Sequence, residues 1–390
     1  MRFGGRREVL SILGTAALYV SAVPVAQSQP ARGAAAAPKS QLAEGVFKDI
    51  RLLKGIPVDE FMDTMGFFSA ATNLNCVDCH GAASGGDWAH YADETPMKAT
   101  ARRMILLMQR IDKENFGGAP VVTCYTCHRG DMRPEGTPSL AIQYGTPIID
   151  PNTTEVSRQA AGAPTADQVF EKYIQALGGA QRLANISSIV MKGTYNGYDT
   201  EFEDVPIEIY SRAPAQRATL IHFRSANSIT TYDGRSGWIS EADKPVPLIE
   251  QTGDELDGAR VDAALVFPSG IKPLRTKWEV SSTAIDDRQV FLAEGTGGSQ
   301  SPVKLFFDKA SGLLVRQVRY VRVPVGRVPV QIDYEDYREV PGTSVKIPFR
   351  WTATWTDGRS KTTLMDVQAN AAIDASRFAK PSAAANPARH

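Results

Sequence analysis

Cys76-Val77-Asp78-Cys79-His80 is the first of two pentapeptides with the pattern Cys-x-x-Cys-His, and Cys124-Tyr125-Thr126-Cys127-His128 is the second. Together they contain all four cysteines of the 390-residue chain. Two thiols three positions apart can each form a thioether with one vinyl group of the same haem, and the histidine that follows then lies under the iron. The pattern therefore predicts two covalently bound c-type haems, one at each pentapeptide.

Three other uses of the cysteines are zinc binding, a redox-active pair and structural disulfides. Two cysteine pairs could bind zinc, but a structural zinc site does not explain a histidine directly after both pairs. A thioredoxin-like redox pair needs a strand and helix context that is missing here, and disulfides between such close neighbours would constrain little. Covalent haem is the favoured interpretation.

Methionines upstream of the two motifs are the candidates for the sixth ligand of each iron. Residues 57–68 are typical of a short amphipathic helix, with Pro57 suited to its first turn. From Pro96 to Asn115, apolar residues recur at helical spacing opposite a basic side. Any single methionine is more often a filler of core gaps, but here the core is expected to be the haem itself.

These stretches resemble a known family. Met65 lies eleven residues before Cys76, and the later run contains 98–104 (Lys-Ala-Thr-Ala-Arg-Arg-Met) and 122–130 (Val-Thr-Cys-Tyr-Thr-Cys-His-Arg-Gly). Residues 41–135 are similar to the cytochrome subunit of photosynthetic reaction centres and to its smaller non-photosynthetic relatives. In that family each haem-binding unit is a helix, a turn and a haem motif, and a methionine of the helix ligates the iron.

The resemblance implies the ligand set. Met65 would complete the first haem in preference to Met62, and Met104 the second in preference to Met108. His90 stays an outside candidate, because one haem of the family has two histidine ligands. The family's namesake carries four haems in two halves and this chain has one such half, so the part of the resemblance that carries over is the two-haem electron-transfer unit.

Methionine with histidine fills both axial positions of an iron and raises its reduction potential. We therefore expect single-electron transfer between protein redox partners, without catalysis. A dihaem peroxidase is the enzyme alternative, and it would need a haem with an open sixth position. Self-association that extends the haem relay is left open as a further partner hypothesis.

The N-terminus has the layout of an export signal: Arg2, Arg6 and Arg7 precede an apolar stretch from Val9 to Val25. We expect cleavage, and a periplasmic or extracellular protein, over a retained anchor. The chain has 43 Lys+Arg and 43 Asp+Glu. This zero net charge argues against binding to nucleic acid through phosphate neutralisation.

A second domain is predicted after residue 164. Thr165 to Gln168 form a capping-box pattern before an amphipathic helix that ends at Gly178. Twelve short β-rich runs follow between Ser188 and Val367, interrupted by a helix at Asp254 to Val266. The fold class is thus α+β and multidomain: a small α-helical dihaem cytochrome c domain, then a curved antiparallel β-sheet or half-barrel with packed helices. The expected divisions are a signal peptide at 1–28, a disordered linker at 29–40, the cytochrome domain at 41–135, a linker at 136–164, the β domain at 165–378 and a disordered tail at 379–390.

The second domain resembles the half-barrel of bacterial lipoprotein carriers, with 307–314 (Phe-Asp-Lys-Ala-Ser-Gly-Leu-Leu) similar to a strand, turn and strand of theirs. That resemblance implies an apolar, lipid-like ligand. We favour instead a domain that is filled by its own side chains and docks or spaces the haem unit. A lipid- or partner-binding protein with structural or sensory haems is the third functional hypothesis.

Overall fold

A computed structural model describes residues 41–81, 87–145, 153, 155–224, 226–242 and 244–382. The described residues belong to one compact unit. The predicted signal peptide and first linker lie outside the described residues, as does most of the predicted C-terminal tail.

Six α-helices occupy the described residues up to 145. They are α1 (Ala43–Val46), α2 (Val58–Thr72), α3 (Cys76–His80), α4 (Pro96–Asn115), α5 (Cys124–His128) and α6 (Leu140–Tyr144). A short 3₁₀ turn at Trp88–His90 precedes α4. The two haem motifs form α3 and α5, each a little more than one helical turn.

The ends of the two long helices follow from capping residues. Thr95 accepts a hydrogen bond from the Lys98 N–H at the start of α4, and Pro96 occupies the first helical position. The bounds of α4 agree with the periodicity. Helix α2 runs four residues beyond the predicted 57–68 and ends where Asn73 adopts a left-handed φ of 58°.

The rest of the described chain is dominated by one thirteen-stranded antiparallel sheet, with strand order β6-β5-β4-β3-β2-β1-β13-β12-β11-β10-β9-β8-β7. Its strands are β1 (Ser188–Gly197), β2 (Val205–Arg212), β3 (Gln216–His222), β4 (Asn227–Tyr232), β5 (Gly237–Glu241), β6 (Leu248–Gln251), β7 (Lys277–Ile285), β8 (Arg288–Thr296), β9 (Val303–Asp308), β10 (Leu314–Val323), β11 (Gly326–Glu339), β12 (Lys346–Trp355) and β13 (Gly358–Ala369). Every strand pairs with the next in sequence except β6 and β7, which form the two edges of the sheet, and the β1–β13 pairing joins its two halves.

The large open antiparallel sheet with helices confirms the coarse fold prediction. All twelve predicted strands are present within a few residues of their expected bounds. The thirteenth, β6, was missed because it has only four residues and directly follows Pro245 and Pro247, which are turn signals.

Three helices accompany the sheet: α7 (Ala166–Ala176), α8 (Ala180–Ala184) and α9 (Gly253–Val266). The capping box predicted at Thr165 and Gln168 is present at the start of α7. A core cluster joins α7 and α9 to strands β7–β10, and it includes Phe170, Tyr173, Val261 and Phe307. The helices therefore cover part of one face of the sheet.

Residues 155–164 of the predicted linker at 136–164 contact the sheet, whereas α6 in its first part is exposed. The Ser157 N–H donates to the Glu294 carboxylate, and the Ala160 N–H donates to the Val280 carbonyl on edge strand β7. Glu294 also forms an ion pair with Lys304, and both side chains are almost fully buried. This stretch therefore covers charged groups that would be costly to leave unpaired.

No helix in the described ranges is long and apolar enough to span a bilayer.

Candidate functional site

The first haem motif is held as a single helical turn by reciprocal capping. The Asn75 side chain accepts from the N–H groups of Val77 and Asp78, at 3.0 and 3.2 Å. The Asp78 carboxylate accepts from the Asn75 N–H at 2.8 Å. This capping box supports a helix too short to be stable by itself and fixes the spacing of Cys76, Cys79 and His80.

The imidazole of His80 is oriented by a backbone carbonyl. Its Nδ1 lies 2.8 Å from the Tyr91 carbonyl oxygen, and its ring stacks on the Tyr91 ring with centroids 4.5 Å apart. Burial lowers the pKa of His80, which favours the neutral ring. With Nδ1 as donor to a carbonyl, Nε2 keeps its lone pair for a metal.

The second motif repeats this design with other residues. Thr123 and Thr126 form its capping box, and Arg129 ends the helix in the left-handed region at φ 51°. The Gly130 N–H donates to the Ala71 carbonyl of α2 at 3.0 Å. The Nδ1 of His128 lies 3.0 Å from the Asp131 carbonyl oxygen, so Nε2 is again available as a ligand.

The four thiols are unpaired. Burial raises the pKa of Cys79, and it raises the pKa of Cys124 to about 11. Such surroundings do not stabilise a thiolate, so they do not favour a redox-active pair. Within the described ranges, moreover, no group of three or more His, Cys, Asp or Glu side chains could hold a metal ion. Thioether formation with a haem remains the use that fits these thiols.

The methionines of α2 differ in orientation. Gly66, Phe67 and Asp59 face the β-sheet, and at roughly 100° per residue Met65 points to the opposite side of the helix. Its side chain is half-buried, whereas Met62 is exposed. Met65 is thus available to a group bound on the side of α2 away from the sheet.

The methionines of α4 also differ. Met108 is only 7% exposed and packs in a core cluster with Phe67, Val321 and Val328. Met104 is 41% exposed, on a part of α4 where Leu107 is 50% exposed. The Met108 thioether is thus occupied in packing, while the Met104 thioether is accessible.

The outside candidate, His90, lies at the surface. Its Nδ1 is 3.0 Å from a carboxylate oxygen of Asp93, three residues further on. The ring therefore has a partner outside both motifs.

The four helices that carry the predicted ligands form one interlocked group. Helix α3 packs on α4, while α5 packs on both α2 and α4. The Thr95 hydroxyl at the start of α4 donates to the Cys79 carbonyl at 2.6 Å. The first motif therefore contacts the helix that precedes the second motif. The second motif contacts the helices that precede both motifs, so the two motifs are held in one unit.

The surface beside the motifs is suited to a porphyrin. Large apolar side chains are exposed there: Met104, Leu106, Leu107, Phe116, Val121, Tyr125 and Met132. Large apolar side chains exposed in one region often mark a surface that another group covers. Together with free thiols and oriented imidazoles, these side chains fit a covalently attached haem.

The cytochrome region is joined to the sheet through α2. The Asp59 carboxylate accepts from the Thr252 N–H at 2.6 Å and from its hydroxyl at 2.9 Å. Gly66 approaches the β12–β13 turn so closely that an added Cβ would lie 3.1 Å from an Asp357 carboxylate oxygen. Phe67 packs against Gly326 at the β10–β11 turn. No sequence pattern predicts these long-range contacts.

The fold and the motifs define a c-type cytochrome region attached to a β-sheet domain. Residues 15–171 match the family model of the photosynthetic reaction centre cytochrome C subunit. The resemblance predicted for residues 41–135 is thereby confirmed.

Two curated relatives bear the name photosynthetic reaction center cytochrome c subunit. The protein from Roseobacter denitrificans is 31% identical over 151 residues, which is 35% of this chain and 40% of that protein. The protein from Thermochromatium tepidum is 31% identical over 119 residues, covering 29% and 28% of the two chains. The chain thus spans well under half the length of either relative.

Among solved structures, a LolA superfamily protein from Nitrosomonas europaea covers 56% of this chain and 99% of its own, with 16% identity and a TM-score of 0.40. A likeness at this level carries no argument about fold or ligand. The architecture of the β domain rests on the strand pairing described above.

Proposed function

We propose that the protein is an exported dihaem c-type cytochrome that passes single electrons between redox proteins. Cys76 and Cys79 would hold one haem and Cys124 and Cys127 the other, with His80 and His128 as the proximal ligands. The observation that carries the proposal is the arrangement at each motif: unpaired thiols on one helical turn, and an imidazole whose Nδ1 is committed to a backbone carbonyl. The family match of this region supports it.

Met65 and Met104 are proposed as the sixth ligands. Met65 points away from the sheet, and Met104 is exposed beside other apolar side chains. Met108 is buried among core residues and is therefore the poorer candidate on α4. The choice of Met65 over Met62 rests on the family resemblance and on the face of α2 that Met65 occupies. Haem with histidine and methionine ligands supplies reversible one-electron chemistry at a raised potential.

Filled axial positions distinguish an electron carrier from the peroxidase alternative, since a peroxidase needs an iron that can bind substrate. An absorption spectrum of the reduced, purified protein tests this directly. We expect two low-spin haems whose spectrum does not change under carbon monoxide. A high-spin haem that binds carbon monoxide would favour the peroxidase.

We propose a periplasmic location, because covalent haem attachment takes place outside the cytoplasm and the leader has an export layout. The partners would be a protein electron donor and a protein acceptor. Fractionation of cells that express the full chain tests the location, and haem staining in the periplasmic fraction is the expected result. Staining confined to the cytoplasm would contradict it.

For the region 165–378 we propose a docking role as a domain of its own beside the cytochrome region at 41–135. The support is the set of contacts that α2 makes with Thr252, Gly326 and Asp357. The sheet would hold the haem unit in a fixed orientation for its redox partners.

A second role for this domain is favoured by one observation. A cavity of about 540 Å³ lies between the helices and the sheet. Its lining is mostly apolar, and its charged members are the cations Arg217 and Lys346 and the carboxylate Asp262. An apolar molecule with an anionic group would suit this lining. Native mass spectrometry of the exported protein tests this role. Retained lipid would support it, and a lipid-free protein would contradict it and leave docking as the sole proposed role of the domain.

A further inference from the structure

The carbonyl that orients His80 is shared with a lysine. The Lys98 ammonium lies 3.1 Å from the Tyr91 carbonyl oxygen, the same atom that His80 Nδ1 approaches at 2.8 Å. The ammonium also donates to the Asp93 carbonyl at 2.8 Å and to Asp49 at 3.1 Å. With 11% of its side chain exposed, Lys98 is held largely away from water.

The second motif has no counterpart of this lysine. The Asp131 carbonyl accepts from His128 Nδ1, and within the described residues no other donor to that oxygen is recorded. The charged groups that follow His128 in sequence, Arg129, Asp131 and Arg133, are all exposed, so solvent and salt screen them. The two imidazoles therefore sit in different electrostatic surroundings.

The negative charge of Asp49 does not cancel the positive charge of Lys98. Arg102 and Arg51 also pair with Asp49, at 2.6 and 2.8 Å. Glu94 in turn pairs with both arginines, so the group contains three cations and two carboxylates. This group keeps one excess positive charge, and the Asp78 carboxylate on the first motif is bound to the Asn75 N–H rather than to any of its cations.

A cation bound to a carbonyl oxygen draws electron density from it, so that oxygen becomes a weaker acceptor for a second donor. The His80 Nδ1–H bond then gives the ring less imidazolate character. A less basic imidazole stabilises ferric iron less, and the nearby positive charge also favours the reduced state. Both effects raise the reduction potential of an iron bound to His80.

We propose that Lys98 is a positioning residue that acts through the Tyr91 carbonyl and raises the reduction potential at the His80 site above that at the His128 site. The inference rests on the proposed electron-transfer function and adds a direction to it. Electron transfer within the chain then runs from the second motif to the first. The partner that accepts electrons docks near α3 and the start of α4.

The test is an equilibrium redox titration of the exported, haem-loaded protein, followed by absorption of both haems. In Lys98→Gln the charge is lost, and the higher-potential wave should fall by about tenfold in its equilibrium constant, which is about 59 mV for one electron. The lower wave should stay in place. Lys98→Arg should keep most of the higher potential, and Lys113→Gln, at an exposed position of the same helix, should change neither wave.

Asp49→Asn provides a second variant with the opposite sign. Removing this carboxylate leaves the Lys98 charge less compensated, so the higher wave should rise. If Lys98→Gln does not fold, the shift of the higher wave in Asp49→Asn tests the proposal instead. The proposal is overturned if Lys98→Gln or Asp49→Asn leaves both waves unmoved, shifts both equally, or shifts only the lower one.

Failure of the proposed function would look different. It would show in the untitrated wild-type spectrum as missing haem or as a high-spin iron, before any variant is compared.

Discussion

In the proposed function, two histidine imidazoles and two methionine thioethers decide the chemistry at the scale of single residues. His80 and His128 each donate to a backbone carbonyl, although the accepting carbonyls, those of Tyr91 and Asp131, lie in unrelated local sequences. That repetition indicates that ring orientation matters at both motifs. Fixing the tautomer leaves Nε2 free, which is what an iron ligand requires.

The methionine ligands are tested by alanine substitution. Met65→Ala and Met104→Ala should each remove about half of the near-infrared methionine-to-iron charge-transfer band, because each takes away one of two thioether ligands. Near-infrared absorption of the oxidised protein measures this. Met62→Ala should leave the band intact.

Met108→Ala is the informative companion to Met104→Ala. Because Met108 fills the core between α4 and the sheet, its loss should cost about 2–5 kcal/mol of unfolding free energy. The band should nevertheless keep its full strength. A band that disappears in Met108→Ala and persists in Met104→Ala would reverse our assignment.

Asp49 makes the stability of the first motif depend on pH. Burial opposes its ionisation, but hydrogen bonds from Lys98, Arg51 and Arg102 lower its pKa to about 2, from an unfolded value of 3.8. Its contribution to stability is therefore present above pH 3.8 and is lost as the pH falls towards 2. Asp49→Asn should flatten the pH dependence of thermal unfolding in this window. Equal slopes for the variant and the wild type would contradict this.

At the scale of elements, helix α2 has two functions on two faces. One face carries Met65, and the other carries Asp59, Gly66 and Phe67 against the sheet. Because these two faces point in roughly opposite directions, the proposed haem and the β domain lie on opposite sides of a single helix. Any change in the docking of α2 would therefore move a proposed iron ligand.

The hydrogen bonds between α2 and the sheet can be tested at Thr252. Thr252→Val removes the hydroxyl that donates to the buried Asp59 carboxylate, which should cost about 1–3 kcal/mol of unfolding free energy. Chemical denaturation measures this cost. Thr137→Val, at an exposed position, is the matched control and should be neutral within error. Equal stability of both variants would show that the contact does not hold the two regions together.

Local patterns predicted local elements well. The bounds of α4 follow from Thr95, Pro96 and the apolar spacing, and the capping box at Thr165 marked the start of α7. Contacts between distant residues left no such trace. The Asp59–Thr252 bonds join positions 193 apart and the Lys98–Asp49 pair joins positions 49 apart, and neither has a periodic signature. Burial, which separates Met104 from Met108, depends on the same long-range packing.

At the scale of the whole molecule, a small helical region that carries both motifs is joined to a large sheet with its own core. The β domain contains most of the buried apolar clusters. The region around the motifs exposes apolar side chains that a haem would cover. The stability of the helical region should therefore depend on bound haem much more than the stability of the sheet does.

Hydrogen exchange can measure this dependence. In a variant with all four cysteines replaced by alanine, α3, α4 and α5 should lose most of their protection, because bound haem stabilises only the folded state of the helices that hold it. Strands β12 and β13 should keep theirs. Unchanged protection throughout the helices would mean that haem is not part of the core of this region.

Covalent attachment of two haems is the central claim, and the mass of the exported protein under denaturing conditions tests it most directly. The account predicts a polypeptide heavier than the processed chain by two haem groups, since thioether bonds survive denaturation. A mass equal to that of the bare polypeptide would contradict it.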